Sequence, residues 1–138
     1  MELDILIIDN DQVNSFVLRN IITRNYPTAK VHLCVDGTDG LDHLQRLHDQ
    51  GKPFPQVVLL DIYMPIMDGF EFLEEYNKKF GENDTAIFAM SNSLDKNDQK
   101  KANDFNMVRG FITKPLIYNN IQFIVDSLTG NEATRRLD

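Results

Sequence analysis

The sequence has little of what a disulfide-stabilised, membrane-inserted or nucleic-acid-binding protein requires. Its 138 residues include one cysteine, Cys34, which excludes an internal disulfide and fits a reducing cytosol. Glu2 and Asp4 interrupt the first apolar run, which argues against a signal peptide, and no apolar stretch approaches the roughly 20 residues that span a bilayer. With 14 basic and 21 acidic residues, the net charge of −7 argues against binding nucleic acid through a basic surface. We therefore expect one cytoplasmic domain that binds neither membrane nor nucleic acid.

Short apolar runs alternate with segments of helical periodicity along the chain. This strict alternation predicts one parallel sheet with helices on both faces, joined by right-handed crossovers. The predicted fold class is therefore α/β, a doubly wound sheet of five parallel strands. The predicted strands are residues 3–8, 31–35, 57–60, 86–90 and 108–112.

Apolar residues three and four positions apart mark the predicted helices. The segment 95–105 is unusually polar, so we expect the fourth helix to be short or loosely packed. The other helices are marked by Val13, Phe16, Val17, Asn20 and Ile21 (first), Leu41, Leu44 and Leu47 (second), Phe70, Phe72, Leu73 and Tyr76 (third), and Ile117, Ile121, Ile124, Val125 and Leu128 (fifth).

The most informative segment of the chain is VVLLDIYMPIMDG, residues 57–69. Its first four residues form an unbroken apolar run, as expected of a strand covered on both faces. Asp61 follows at the exit of that strand, and Pro65, Asp68 and Gly69 then supply turn chemistry. The carboxyl ends of strands are where open α/β sheets bind their ligands, so Asp61 is a candidate functional residue. The alternative is that Asp61 only caps the next segment.

Polar side chains follow four of the five predicted strands and are therefore expected at one edge of the sheet. Such a set suits phosphoryl transfer, because clustered carboxylates recruit Mg²⁺. Lys114 and Ser91 could then contact phosphoryl oxygens, and Asp61 could act as the nucleophile that forms an acyl phosphate. The set comprises Asp9, Asn10 and Asp11 after the first strand, Asp61 after the third, Ser91 after the fourth, and Thr113, Lys114 and Pro115 after the fifth.

These motifs resemble the receiver domain of two-component response regulators over residues 3–128. The signature DxxMPxMDG occupies residues 61–69, and Ser91 and Lys114 follow Asp61 by 30 and 53 positions, close to the family spacing. The resemblance implies a flavodoxin-like (βα)₅ fold. It also implies that Asp61 takes a phosphoryl group from a phosphohistidine on a sensor histidine kinase or a histidine phosphotransfer protein. Mg²⁺ is implied to lie among Asp9, position 10, Asp61 and the backbone carbonyl of Tyr63.

The resemblance further implies a conformational switch. Ser91 is expected to move toward the phosphoryl group, and Phe111, three residues before Lys114, is expected to turn inward. The alternative for Phe111 is plain core packing. The face formed by the fourth helix, fifth strand and fifth helix is the usual output surface of the family.

Two residues depart from the family pattern or modify it. Asn10 stands where a second acid is usual, so we expect weaker Mg²⁺ binding; Asp11 either compensates or, as we expect, caps the first helix. Tyr63 either shields the acyl phosphate and slows its hydrolysis, or points into solvent.

The sequence has three histidines, His32, His43 and His48. They are predicted to lie in the second strand and the second helix, away from the site.

Two other functions compete with the receiver hypothesis. Residues 7–13 also fit the DxDx[TV] motif of haloacid-dehalogenase-type phosphatases, with Asp9 as nucleophile, but the later acidic pair of those enzymes is missing. A phosphorylation-independent binding module of the same fold is the second alternative. We expect no enzymatic activity beyond self-phosphorylation and slow autodephosphorylation, and signalling through an unidentified protein. The predicted domain spans 1–128, and residues 129–138 form a polar tail. The chain is expected to be a complete single-domain regulator; the alternative is a fragment of a larger protein.

Overall fold

The protein is built on one sheet of five parallel strands in the order β2-β1-β3-β4-β5. Its computed structural model describes residues 2–81, 83–93 and 95–128, so the predicted tail at 129–138 lies outside the described residues. The strands are β1 (Asp4–Ile8), β2 (Lys30–Cys34), β3 (Val57–Asp61), β4 (Ala86–Ser91) and β5 (Val108–Thr113). The helices are α1 (Gln12–Asn25), α2 (Gly37–Asp49), α3 (Gly69–Phe80), α4 (Lys96–Asn103) and α5 (Tyr118–Leu128).

Two buried clusters cover the two faces of the sheet. On one face, Leu18 of α1 and Ile121 of α5 pack with residues of β1, β3 and β4. On the other face, Leu44 of α2 and Phe72 of α3 pack with the alternate residues of the same strands. Residues 57–60 of β3 are fully buried between the clusters, which explains their unbroken apolar run. The predicted flavodoxin-like fold of five parallel strands is therefore confirmed.

The parallel register brings the carboxyl ends of the strands to one edge of the sheet. Asp61 at the end of β3 lies opposite Met90 of β4. The next residue of β4, Ser91, lies opposite Thr113 at the end of β5. β1 is the other neighbour of β3, so the residues that follow β1 and β5 reach the same edge as Asp61.

The first helix exposes most of the residues whose spacing predicted it. Val13 is 74% exposed, and Phe16 and Val17 are each 51% exposed. The buried residues are instead Ser15, Leu18 and Ile22, which lie three and four positions apart. Apolar residues thus occur on two sides of α1, and contact with the sheet selects the side that carries the small Ser15. The exposed residues Val13, Phe16 and Val17 are called the α1 patch below.

The fourth helix is short and polar, as predicted. It spans eight residues, of which Ala102 is buried. It packs beside β5, the edge strand, in which every residue is at least partly exposed. Among the described residues, no helix is long and apolar enough to cross a membrane.

Candidate phosphoacceptor site at the carboxyl edge of the sheet

Three charged side chains from three strands meet at the carboxyl edge. The Lys114 Nζ lies 2.9 Å from Asp9 Oδ2 and 3.4 Å from Asp61 Oδ2. The Lys114 and Asp61 side chains are each 7% exposed, and that of Asp9 is fully buried. One ammonium group therefore bridges two buried carboxylates, which leaves the group with one excess negative charge.

The Asp9 carboxylate is held through both of its oxygens. Asp9 Oδ1 accepts a hydrogen bond from the backbone N–H of Asp11 at 2.9 Å. Asp9 Oδ2 accepts one from the side-chain amide of Asn14 at 3.0 Å, in addition to its contact with Lys114. Asp11 itself is exposed and caps α1, because its carboxylate accepts the backbone N–H of Asn14 at 3.0 Å. The predicted capping role of Asp11 is confirmed.

The Asp61 carboxyl group ionises less readily than an exposed aspartate does. Burial raises the pKa of Asp61 to about 6, with the negative charge of Asp9 adding to the shift and Lys114 opposing it. Asp61 Oδ1 also accepts the backbone N–H of Tyr63 at 3.3 Å. Burial alone would lower the pKa of Lys114, but its contacts with Asp9 and Asp61 raise it overall. The lysine therefore stays protonated at neutral pH.

The ends of β4 and β5 place Ser91 and Lys114 beside each other. Ser91 is buried, and its hydroxyl oxygen accepts the backbone N–H of Ser93 at 3.2 Å. The backbone N–H of Lys114 donates to the Ser91 carbonyl at 2.8 Å. The Lys114–Pro115 peptide bond that follows is cis. Both residues predicted to contact the phosphoryl group thus stand at the carboxyl edge, Ser91 as the last residue of β4 and Lys114 directly after β5.

The predicted turn residues after β3 position the start of α3. Asp68 is the N-cap of α3 and forms a capping box with Glu71, in which each side chain accepts the other residue's backbone N–H. Gly69 is the first helical residue, and a Cβ there would lie 2.7 Å from Ile62 Cα and 2.8 Å from the Asp61 carbonyl oxygen. The loop that contains Pro65 therefore closes tightly beneath Asp61 because position 69 has no side chain.

Three further predicted residues lie around the site with different environments. Asn10 is exposed beside Asp9. Tyr63 is 56% exposed, and its hydroxyl donates a hydrogen bond to Asp98 in the first turn of α4. That bond raises the pKa of Tyr63 to about 12. Phe111 is half-buried against the small cluster of Ile62, Phe70, Ala89 and Ala102.

The histidines lie in β2 and α2, as predicted, and not among the residues that follow the strands at the carboxyl edge. His32 in β2 and His43 in α2 stack with ring centroids 4.0 Å apart. Burial lowers the pKa of His43, and the neighbouring His32 and Arg46 lower it further. His48 is in the last turn of α2 and contacts the Phe80 ring.

The donor set of the carboxyl edge fits Mg²⁺. No group of three or more His, Cys, Asp or Glu side chains in the described part of the chain is arranged to hold a metal. Mg²⁺ does not need such a group, because it keeps several water ligands and commonly binds through one or two carboxylates together with phosphate oxygens. Asp9 and Asp61 supply two carboxylates. Burial raises the pKa of Asp61 and the negative charge of Asp9 raises it further, and a bound cation would oppose both effects by stabilising the ionised carboxylate.

Sequence reasoning missed two contacts of this site. Asn14 was predicted as part of α1 without a role, yet its side chain reaches Asp9. Its position five residues after Asp9, in the first turn of the helix, is the only sequence signal for that contact. The link between Tyr63 and Asp98 joins residues 35 positions apart, and no local pattern indicates it.

The fold and the site together define a class of protein. An open sheet that carries buried carboxylates, a lysine and a hydroxyl at its carboxyl edge is typical of phosphoryl-accepting signalling domains. The sequence model of one family, the response regulator receiver domain, matches residues 5–126, and the chain belongs to that family. It is a receiver domain of two-component systems, a signalling family rather than a family of classical enzymes.

Individual relatives agree with this membership. The chain is 26% identical over 125 residues to a probable methanogenesis regulatory protein, FilR2, from Methanothrix harundinacea, covering 90% of this chain and 79% of that one. It is 30% identical over 125 residues to the hybrid signal transduction histidine kinase L of Dictyostelium discoideum, covering 88% of this chain but 7% of the kinase. A two-component response regulator from Cytophaga hutchinsonii superposes with a TM-score of 0.86 at 26% identity, covering 95% of this chain and 100% of that one.

Proposed function

We propose that Asp61 accepts a phosphoryl group from a phosphohistidine of a sensor histidine kinase or a histidine phosphotransfer protein, in the cytoplasm and with Mg²⁺. An oxygen of the Asp61 carboxylate attacks phosphorus, the P–N bond to histidine breaks, and its electron pair returns to the imidazole, which takes up a proton. The observation that carries the proposal is the Lys114 Nζ, which bridges the buried carboxylates of Asp9 and Asp61.

The surrounding residues have separate roles in this proposal. Lys114 pairs with one phosphoryl oxygen, and the Ser91 hydroxyl donates a hydrogen bond to another. Asp9, Asn10, Asp61 and the Tyr63 carbonyl would hold Mg²⁺, which supplies positive charge against the charge on the phosphoryl group when bound. Asn10 contributes an amide dipole in place of a charge, so the metal binds more weakly than it would beside a third carboxylate.

We propose that phosphorylation changes the edge strand β5 and the neighbouring helix α4. Movement of Ser91 toward the phosphoryl group leaves space beside β4, and Phe111 turns inward to fill it. The half-buried position of Phe111 beside Ala89 and Ala102 supports this step, because a short inward rotation would complete its burial. The face of α4, β5 and α5 then presents a different surface to an unidentified downstream protein.

Docking of the phosphodonor is supported by exposed apolar residues near the site. The α1 patch begins two residues after Asp11, and Ile117 and Tyr118, which are 54% and 40% exposed, follow soon after Lys114. Exposed apolar side chains around a charged centre are typical of protein interaction sites. We propose that the protein presenting the phosphohistidine contacts these residues while its histidine approaches Asp61. The receiver domain itself is proposed to span 1–128, with 129–138 as a polar tail.

The proposal is tested by intact-mass measurement after incubation with acetyl phosphate and Mg²⁺. The wild type should gain one phosphoryl group, Asp61→Asn should gain none, and EDTA added beforehand should prevent the gain. Ser93→Ala is the matched control for handling, because Ser93 is exposed beside the site, and it should be phosphorylated. Absence of an adduct at high Mg²⁺ would favour the phosphorylation-independent binding module.

A further inference from the structure

We propose that Asn14 is a positioning residue that orients the Asp9 carboxylate for Mg²⁺, an inference that rests on the proposed function. Asn14 lies in the first turn of α1 and is half-buried. Its Nδ2 donates to Asp9 Oδ2 at 3.0 Å. Beside a carboxylate, only the NH₂ group of an amide makes an attractive contact, so Asp9 determines which way the Asn14 amide faces.

Asn14 is itself fixed by the residue that links it to Asp9. The Asp11 carboxylate accepts the backbone N–H of Asn14, and the backbone N–H of Asp11 donates to Asp9 Oδ1. Three hydrogen bonds therefore join these three residues in a closed ring. Because the ring contacts both oxygens of Asp9, it fixes the rotation of the carboxylate as well as its place.

The need for Asn14 arises from the second donor to Asp9 Oδ2, Lys114. In the proposed reaction, the Lys114 ammonium turns toward the phosphoryl group on Asp61, and its contact with Asp9 weakens. The neutral amide of Asn14 has no such competing attraction, so it remains bound to Asp9 at that stage. Asn14 is thus the donor that holds Asp9 Oδ2 when the lysine is engaged elsewhere, while the backbone N–H of Asp11 holds Oδ1.

The Asp9 carboxylate can satisfy Asn14 and a metal ion together. An ionised carboxylate offers about four lone-pair positions, and the contacts with Asp11, Asn14 and Lys114 occupy three of them. A position therefore remains for a cation. The orientation of Asp9 matters more here than in a site with a third acid, because Asn10 adds no charge to the metal site.

The test compares Asn14→Leu, which keeps a similar volume but removes the donor, with Asn20→Leu on the exposed side of the same helix. Mn²⁺ binding is measured from the electron paramagnetic resonance signal of the free ion, and Mg²⁺ affinity from displacement of Mn²⁺. We expect Asn14→Leu to bind Mg²⁺ about tenfold more weakly and Asn20→Leu to match the wild type. Circular dichroism in EDTA checks folding, and Asn14→Ala repeats the comparison if the leucine variant does not fold.

A kinetic measurement separates positioning from general damage. The Mg²⁺ concentration for half-maximal phosphorylation by acetyl phosphate should rise about tenfold in Asn14→Leu, while the maximal rate at saturating Mg²⁺ stays at the wild-type level. Equal metal affinities in the variant and the wild type would overturn the role of Asn14, and so would a lowered maximal rate at saturating Mg²⁺. Neither result would contradict phosphorylation of Asp61 in the wild type. Failure of the wild type to bind either metal would overturn both this role and the proposed metal dependence.

Discussion

The strands β3 and β5 both lead to a charged residue of the site, but their surroundings differ. Every residue of β3 is buried, whereas every residue of β5 is at least partly exposed. β3 lies at the centre of the sheet, and β5 lies at its edge beside the eight-residue helix α4. Asp61 thus stands on a strand in which every residue is buried, and Lys114 follows a strand in which none is.

The difference suits the proposed function, in which Asp61 stays in place while the surface around β5 changes. Local rearrangement draws on elements with few buried contacts, while enclosed strands open only with the whole fold. In the proposed function, a charge change at Asp61 would act through Ser91 and Lys114 on β4 and β5. The α4–β5 edge can therefore rearrange without displacing the acceptor.

The two strands should differ most in how much a truncated side chain lowers the stability of the protein. Leu60→Ala in β3 should lower the free energy of unfolding by about 3 kcal/mol, because Leu60 is fully buried in the core. Ile112→Ala in β5 should cost about 1 kcal/mol, because Ile112 only partly packs against the core. Urea unfolding followed by circular dichroism measures both. Equal losses would contradict the contrast between centre and edge.

The next effect is a dependence of stability on pH that Asp61 causes. Its pKa rises from an ordinary 3.8 to about 6 in the folded protein, so the folded state binds this proton more tightly than the unfolded state. The stabilisation is present below pH 4 and is lost as pH rises through 6, by about 2 kcal/mol. Asp61→Asn cannot titrate.

Unfolding measured in EDTA at several pH values gives this contribution as the difference between wild type and Asp61→Asn. The difference should shift in favour of Asp61→Asn between pH 4 and pH 7. A constant difference across this range would contradict the raised pKa that burial and the neighbouring Asp9 give Asp61. Saturating Mg²⁺ should reduce the shift, because the cation stabilises the ionised carboxylate.

A smaller effect concerns the Mg²⁺ affinity of the site and the residue at position 10. Asn10→Asp should bind Mg²⁺ about tenfold more tightly, because it adds a third carboxylate beside Asp9. Asn20→Asp adds the same charge on the exposed side of α1 and should leave the affinity unchanged. Calorimetric Mg²⁺ titration of the three proteins checks this, and equal affinities for wild type and Asn10→Asp would exclude the proposed weakness.

The smallest effect concerns the hydrogen bond between Tyr63 and Asp98, which joins the loop after β3 to α4. Tyr63→Phe keeps the ring but loses the hydrogen bond to Asp98, so amide hydrogen exchange in α4 should accelerate by the equivalent of about 1 kcal/mol or less.

The same variants test whether the Tyr63 ring shields the proposed acyl phosphate. The acyl phosphate of Tyr63→Phe should hydrolyse at the wild-type rate if the ring provides the shielding. Tyr63→Ala removes the ring and should lose phosphate faster. An unchanged rate in Tyr63→Ala would exclude shielding.

The positions of the strands and of Asp61 could be predicted because they depend on local patterns. An apolar run followed by an acid indicates both a buried strand and its end, and the position of Asp11 just before a helix indicates a cap. The buried side of α1 could not be predicted in this way, since Val13 and Phe16 are as apolar as Leu18. The sheet selects the side on which Ser15 permits close approach.

The contacts that complete the site could not be predicted because they join distant residues or depend on rotation. Asn14 reaches Asp9 only because the burial of Leu18 and the cap at Asp11 set the rotation of α1. The bond from Tyr63 to Asp98 depends on the placement of α4 against the loop after β3. Both contacts follow from packing, and packing is decided by the whole sheet rather than by a local pattern.

In the proposed function, Asp61 and no other residue receives the phosphoryl group. Borohydride reduces an acyl phosphate to an alcohol, so phosphorylated protein can be treated and its peptides sequenced by mass spectrometry. We predict homoserine at position 61 in the wild type after incubation with acetyl phosphate and Mg²⁺, and none without Mg²⁺. Homoserine at position 9 would contradict the claim and support the phosphatase alternative, and unmodified aspartate at both positions would contradict phosphoacceptor function.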